Sequence, residues 1–181
     1  MYMKISNCKA VLLVMCGLMF PAPNIARATD EAEIRGTVQR VFEQLKSRDY
    51  GSVYDAMPAS SRTRMSRSRF TNALSRAHNM YVLDRMEIGK VRVAANVAVA
   101  DTVLYGRVVS PIQTEGKIVV QQYLVREEGK WRVATGDSAT IKKSLAGHPV
   151  FARKFPIRQP RVYVRQNGNW IRFNPPRSLL P

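Results

Sequence analysis

The side chains best suited to acid–base chemistry lie on one predicted strand. Residues 97–107 alternate in polarity, which puts Asp101 and Tyr105 on one strand face among three valines. A carboxylate drawn into an apolar interior has a raised pKa and can act as a general base, and hydroxyls such as those of Tyr105 and Tyr54 can stabilise an oxyanion. The alternative is that Asp101 lies on the solvated face or pairs with a neighbouring arginine. Because no second inward carboxylate can be placed, these three residues are weak candidates for catalysis.

A basic run follows in the predicted helical region. On a helix its arginines project from one side and from neighbouring angles, and guanidinium groups can bind phosphates or carboxylates through a bidentate fork. The alternative is a solvated helix face whose arginine stems cover apolar surface. The candidate anion ligands in this run are Arg62, Arg64, Arg67 and Arg69.

The first 28 residues have the three-part pattern of a secretory signal peptide. A positive start with Lys4 and Lys9 precedes an eleven-residue apolar run and a small-x-small site that ends at Ala28. The apolar run is shorter than the roughly 20 residues that span a bilayer; the alternative is a buried N-terminal helix. We predict cleavage after Ala28, a secreted or periplasmic location without a membrane span, and the loss of Cys8 and Cys16 with the leader.

The last quarter of the chain is its most basic part. The formal net charge of the whole chain is +16, and residues 138–181 contain nine Lys and Arg but no Asp or Glu. Cations that alternate with aromatic residues are typical of single-stranded nucleic-acid binding, but export favours an anionic envelope component or an acidic protein surface instead. The alternative is that the aromatic residues pin the tail to the domain and the charge aids solubility. The candidate ligands here are Arg153, Lys154, Arg158, Arg161, Arg165 and Arg172.

Metal and cofactor chemistry has little support in the sequence. The only histidines are His78 and His148, they have no HxxxH or HxH spacing, and the predicted mature chain contains no cysteine. No serine lies in a nucleophile-elbow motif. We therefore expect neither a metal nor a cofactor.

The polarity pattern predicts helices first and strands afterwards. Helices are predicted over 31–47, from a cap at Asp49 to Met57 before Pro58, and over 60–77 with a break near Ser66. A short helix over 140–146 and a hairpin at Asn167-Gly168 follow the strands. This order favours an α+β domain with an antiparallel sheet, followed by a Pro-rich basic extension over 147–181. The predicted strands are 82–93, 97–109, 117–126 and 131–137.

The arrangement resembles the nuclear transport factor 2-like (NTF2-like) superfamily, which includes polyketide cyclases and ketosteroid isomerase. The resemblance is carried by Leu45-Lys-Ser-Arg-Asp-Tyr50 before the second helix and by Val125-Arg-Glu-Glu-Gly-Lys-Trp-Arg-Val133 in the closing hairpin, and it covers about residues 30–138. It implies helices on a curved antiparallel sheet with a pocket at the open end of a cone. Members use that pocket as an isomerase or cyclase site, as a ligand or partner site, or fill it with side chains.

Three functions follow from these observations. The sequence favours an exported, non-enzymatic binding or structural module that contacts an anionic partner through its basic C-terminal extension. One alternative is a small-molecule isomerase or cyclase that uses the cone pocket. Another is an assembly or adaptor subunit, such as a homodimer, that associates through the outer sheet face. A nucleic-acid partner is not expected.

Overall fold

The computed structural model describes residues 24–109 and 113–173, so most of the predicted signal peptide lies outside the described residues. Helices and strands appear in the predicted order. The helices are α1 (Asn24–Lys46), α2 (Tyr50–Asp55), α3 (Ala59–Arg64), α4 (Arg67–His78), α5 (Ser138–Ala146) and α6 (Pro149–Lys154). The strands are β1 (Tyr81–Ala94), β2 (Val97–Val108), β3 (Thr114–Glu127), β4 (Lys130–Val133), β5 (Arg161–Gln166) and β6 (Asn169–Phe173).

Side-chain caps determine where three of the helices begin. Asp49 accepts a hydrogen bond from the Ser52 main-chain N–H at 3.1 Å, which starts α2. Ser66 caps α4 and Asp137 caps α5 in the same way. An oxygen at the N-cap satisfies a main-chain N–H that the helix itself leaves without a partner. The break near Ser66 and the start of the second helix at Asp49 are thus confirmed.

The strands form one antiparallel sheet in the order β1-β2-β3-β5-β6, with β4 also paired to β3. Strand β3 is long enough to hold two neighbours on the same side: Leu124–Glu127 pairs with β4, and Gly116–Val119 pairs with β5. The C-terminal hairpin therefore extends the main sheet. The predicted α+β class and antiparallel sheet are confirmed.

The sheet is covered on both faces near one end of its strands. On one face, here called the α1 face, Ile34 and Val38 of α1 pack with Ala98, Ala100 and Leu124. On the opposite face, here called the α5 face, α5 and α6 cover Val97, Val99, Tyr123 and Val125. Successive residues of a strand point to opposite faces, so even-numbered residues of β2 and β3 lie on the α1 face and odd-numbered ones on the α5 face. This parity decides where the candidate residues lie.

Candidate functional site

A small cavity lies between the helices and the α1 face of the sheet. Its volume is about 220 Å³, below the range of roughly 300–1,000 Å³ that is usual for ligand sites. The polar residues of its lining are Gln122 and Thr135, and the rest of the lining is apolar, including Phe42, Leu74 and Met86. No titratable side chain is among the described residues that line it, so the cavity offers no group for proton transfer.

Asp101 and Tyr105 do not face this cavity. Both are odd-numbered residues of β2 and therefore lie on the α5 face, whereas the cavity is on the α1 face. Asp101 accepts a hydrogen bond from Arg92 at 2.8 Å and another from Gln121 at 3.4 Å. The ion pair with a neighbouring arginine, which the sequence left open as an alternative, is what the structure contains. The prediction that Asp101 places a carboxylate in the pocket is therefore wrong, because the alternation of side chains along β2 directs Asp101 to the opposite face of the sheet.

Tyr54 is separated from the other two candidates. It lies on α2, where its hydroxyl is 3.0 Å from the carbonyl oxygen of Arg62 and 2.9 Å from that of Met65. These contacts connect α2 to α3 and to Met65, which follows α3. The structure thus brings together no pair of hydroxyl and carboxylate from the three candidates in the cavity.

Two arginines of the basic run are engaged in holding the helices together. Arg64 of α3 forms an ion pair with Asp137 and a hydrogen bond to Thr140, both at the start of α5. Arg67 of α4 forms an ion pair with Asp55 and lies over the ring of Tyr54, 5.0 Å from its centroid. These guanidinium groups already have anionic partners within the chain.

The other two arginines of the run are differently placed. Arg62 is half-buried and its Nε has no hydrogen-bond partner among the described residues, while Arg69 is exposed on α4. The four side chains therefore do not converge on a single anion, because α3 and α4 are separate helices that meet at Ser66.

A second group of cations converges on the α5 face, beyond the area that α5 and α6 cover. Five side chains lie directly opposite one another on five adjacent strands, which the pairing register aligns in one line across the sheet. Neighbouring strands are about 4.8 Å apart, so the line extends roughly 19 Å. We call it the cation–tyrosine row, and its members are Arg85, Tyr105, Lys117, Tyr163 and Arg172.

Aromatic rings support the cations of the row. The Arg85 guanidinium lies over the Tyr105 ring, 3.6 Å from its centroid. The Lys117 ammonium is 5.4 Å from the centroid of Tyr163 and 4.4 Å from that of Trp170, the residue next to the row on β6. Cation–π contacts of this kind hold a charge in place on a sheet surface. The rings therefore orient the cations.

Two carboxylates accompany the row, and each is bound to an arginine. Glu87 binds Arg85 and accepts a hydrogen bond from the Tyr105 hydroxyl at 3.1 Å. The hydrogen bond from Arg85 lowers the pKa of Glu87, so this carboxyl remains charged at neutral pH. Glu115 binds Arg165 at 2.7 Å.

Three cations in or next to the row form no ion pair with a carboxylate within residues 24–109 and 113–173, although the charge of Lys117 contributes to lowering the pKa of Glu87. They are Lys117 and Arg172 of the row and Arg161, which lies opposite Val119 on the same face. These three are available to an external anion. Among the sequence candidates of the tail, the structure thus brings Arg161 and Arg172 together beside Lys117 and leaves Arg165 paired.

The remaining candidates of the tail lie near α6. Arg153 and Lys154 are exposed at the end of that helix, with Lys154 5.9 Å from the ring centroid of Phe155. Burial raises the pKa of the Tyr123 hydroxyl, and the positive charge of Arg158 opposes that rise. These three cations add to the positive potential of the α5 face but lie outside the row.

Sequence reasoning missed Arg85 and Lys117 as site residues. Both occur in segments of mixed charge, where single cations are unremarkable. Only the pairing of β3 with β5 brings Lys117 next to the basic tail. Alignment of the predicted strands in their pairing register would reveal both residues as members of the row. That alignment requires the order of the strands in the sheet, which the local sequence pattern does not give.

Comparisons with known proteins identify no family for this chain. No family model matches the sequence, and no curated protein matches it. Among solved structures, the chain is similar to an NTF2-like transpeptidase from Campylobacter jejuni, with 15% sequence identity and a TM-score of 0.37 over 59% of this chain and 95% of that chain. We draw no functional argument from a likeness at this level.

No helix of the described residues is long and apolar enough to cross a membrane. No group of three or more His, Cys, Asp or Glu side chains among them could hold a metal ion.

Proposed function

We propose that this protein is an exported binding module that holds an extended anionic polymer of the cell envelope on the α5 face of its sheet. The observation that carries the proposal is the cation–tyrosine row, together with the three cations in or next to it that form no ion pair within the described part of the chain. A row of charges across adjacent strands suits a long ligand better than a small one, because its length is roughly 19 Å.

The aromatic residues favour a partner that is recognised by charge. Bases stack on bare ring faces in single-stranded nucleic-acid sites. Here Arg85 covers one face of Tyr105, and Lys117 lies over Trp170. An anionic polymer with carboxylate, sulfate or phosphate groups meets the cations directly and does not require free ring faces. The proposal therefore retains the expectation that nucleic acid is not the partner.

The first prediction concerns polymer binding by a variant that lacks three charges of the face. Lys117, Arg161 and Arg172 are replaced together by glutamine, and binding to heparin and to polygalacturonate is measured by fluorescence anisotropy at several NaCl concentrations. We expect the affinity at low salt to fall about tenfold or more, because three charge contacts on this face are lost. We also expect a weaker salt dependence than in the unaltered protein, because fewer counterions are released.

The matched control removes three cations elsewhere. Arg40, Lys90 and Lys130 are exposed, lie on α1, on β1 and at the start of β4, and have no carboxylate partner within the described ranges. Their replacement by glutamine changes the net charge equally and should leave the affinity within about twofold. Equal losses in the two variants would mean that net charge alone attracts the polymer, and binding of phosphatidylglycerol vesicles but neither polymer would identify a membrane partner instead.

A second prediction tests the export on which the proposal depends. If the leader is cleaved after Ala28, mass spectrometry of protein from the periplasm of a bacterial host should find an N-terminus at Thr29. The chain should remain folded after cleavage, because the fully buried part of α1 begins at Ile34. Recovery of the intact chain in the cytoplasm would contradict export.

A further inference from the structure

The two edge strands of the sheet differ in how far side chains cover their main-chain groups. Strand β1 forms one edge, and side chains of α1 cover it: Arg35 donates to the carbonyl oxygens of Ile88 and Gly89 at 3.1 and 2.8 Å, and Lys46 donates to that of Asp84 at 2.8 Å. Register shifts also interrupt β1 at two places. Covering groups and bulges are the usual devices by which proteins prevent an edge strand from pairing with another chain.

Strand β6 forms the other edge, and the described residues supply none of these devices there. All five of its residues are exposed, including Trp170 at 36%, Ile171 at 45% and Phe173 at 38%. Its pairing with β5 has no register shift, and it contains neither lysine nor proline. No side chain among the described residues is hydrogen-bonded to the main chain of Trp170, Ile171 or Arg172. An exposed, regular and apolar edge of this kind is suited to strand pairing.

The turn before β6 determines which main-chain groups point outward. Asn167 and Gly168 both have positive φ, 49° and 79°, as in the two-residue turns that close tight hairpins. In such a hairpin the flanking pair, Gln166 and Asn169, exchanges its hydrogen bonds, and bonded and non-bonded pairs then alternate. The N–H and C=O groups of Trp170 and Arg172 are consequently directed away from β5, to the free edge.

We propose that β6 pairs with β6 of a second copy of this chain, antiparallel and centred on Ile171. In this register Trp170 lies opposite Arg172 of the second copy, so the four outward groups of each strand find complementary partners. On the α5 face the indole meets a guanidinium, which is a favourable cation–aromatic pair, and on the α1 face the two Ile171 side chains meet.

The strand ends support this register. Strand β6 has five residues, and centring the pair on the third uses all of them: Asn169 lies opposite Phe173 of the second copy at each end. Pro175 and Pro176 follow soon after β6, and proline lacks the N–H that a longer ladder would need. The same two-fold pairing would join the α5 faces of the two sheets side by side.

The test uses the purified protein at 10–200 µM, about the range in which weak strand pairing is detected, with molar mass measured by light scattering after gel filtration. We expect a mass near twice that of one chain, which is 20.5 kDa with the predicted leader and less once the leader is cleaved. Ile171→Lys places two like charges opposite each other and should give monomer. Val150→Lys, at an apolar residue of α6 that is 72% exposed, should leave the dimer intact. Monomer at all concentrations, or a dimer that persists in Ile171→Lys, would overturn the proposal.

Cross-linking tests the register itself. In a background with Cys8→Ser and Cys16→Ser, Ile171→Cys should form an intermolecular disulfide on mild oxidation, since two residues opposite each other on paired strands lie within disulfide distance. Val150→Cys serves as the control for random collision. Equal cross-linking of the two variants would contradict pairing through β6.

Discussion

Replacement of Asp137 by alanine is expected to lower the free energy of unfolding by about 2–3 kcal/mol at pH 7, since it removes a helix cap and charged hydrogen bonds at once. Asp137 accepts from the Thr140 main-chain N–H at 3.1 Å and from its hydroxyl at 2.9 Å, and it pairs with Arg64. The side chain is only 17% exposed. Urea denaturation followed by circular dichroism measures the change.

The same carboxylate should make the stability depend on pH. Burial raises the pKa of Asp137, but hydrogen bonds from Ser61, Thr140 and Arg64 outweigh that effect and hold the pKa well below its usual range. A depressed pKa in the folded state contributes stability that is present above the pKa of the unfolded chain, near 4, and is lost as the pH falls further. The stability difference between the protein and Asp137→Ala should therefore be largest at neutral pH and shrink below about pH 4.

Asp137→Asn separates the two contributions. Asparagine caps helices nearly as well as aspartate, so this variant keeps the cap and loses the charge. We expect a smaller loss of stability than for alanine and a flatter pH dependence between pH 5 and 2.5, where carboxylates titrate. A difference from the unaltered protein that stays constant over this range would show that the charge of Asp137 contributes nothing to folding.

Replacement of Gly106 by alanine should destabilise the protein by about 2–4 kcal/mol, because it forces the backbones of β1 and β2 apart. A Cβ atom at residue 106 would lie 2.3 Å from the carbonyl oxygen of Val82 and 3.3 Å from the Cα of Leu83. Neither atom belongs to a flexible side chain, so the main chain itself must move. The midpoint of urea unfolding gives the size of the effect.

Gly36→Ala is the matched control. Gly36 is an exposed residue within α1, and a Cβ atom there would meet nothing within 4 Å. Because alanine is the better helix former, this variant should be more stable by about 0.5–1 kcal/mol. Destabilisation by both variants would show that glycine is needed for a reason other than the close approach at Val82.

The Gly106 variant also bears on the cation–tyrosine row. Tyr105 precedes Gly106 on β2 and lies opposite Arg85 of β1, so a shift of the two strands displaces the first two members of the row. The end of the row formed by β5 and β6 is far from this contact in strand order. Polymer binding by Gly106→Ala should therefore fall less than binding by the variant without Lys117, Arg161 and Arg172.

Local sequence determined most of the secondary structure. The 3–4 spacing of apolar residues, the cap at Asp49, the break near Ser66 and the change to a period of two after residue 80 each predicted a feature that is present. These signals are local, because a cap or a turn depends on a few adjacent residues. The same holds for Asn167-Gly168, whose positive φ angles form the predicted hairpin turn.

For Asp101 the sequence allowed either a pocket carboxylate or an ion pair with a neighbouring arginine, and it could not decide between the two. Alternation along β2 puts Asp101 and Tyr105 on one face, yet it does not say which face the helices cover. The packing of α1 against even-numbered residues decided that, and it left the cavity without a titratable group among its described lining. Arg64 likewise looked like an anion ligand until its contact with Asp137 was known.

Only the tertiary structure determined which residues the cations of the tail lie next to. Composition located the excess cations in residues 138–181, but the pairing of β5 with β3 brings Arg161 and Arg172 beside Lys117. Strand pairing joins residues more than 40 positions apart, and its register depends on burial of whole faces and on hydrogen bonds between distant segments. Local propensity contains no information on such contacts, which is why a row of side chains from five strands becomes visible only in the folded chain.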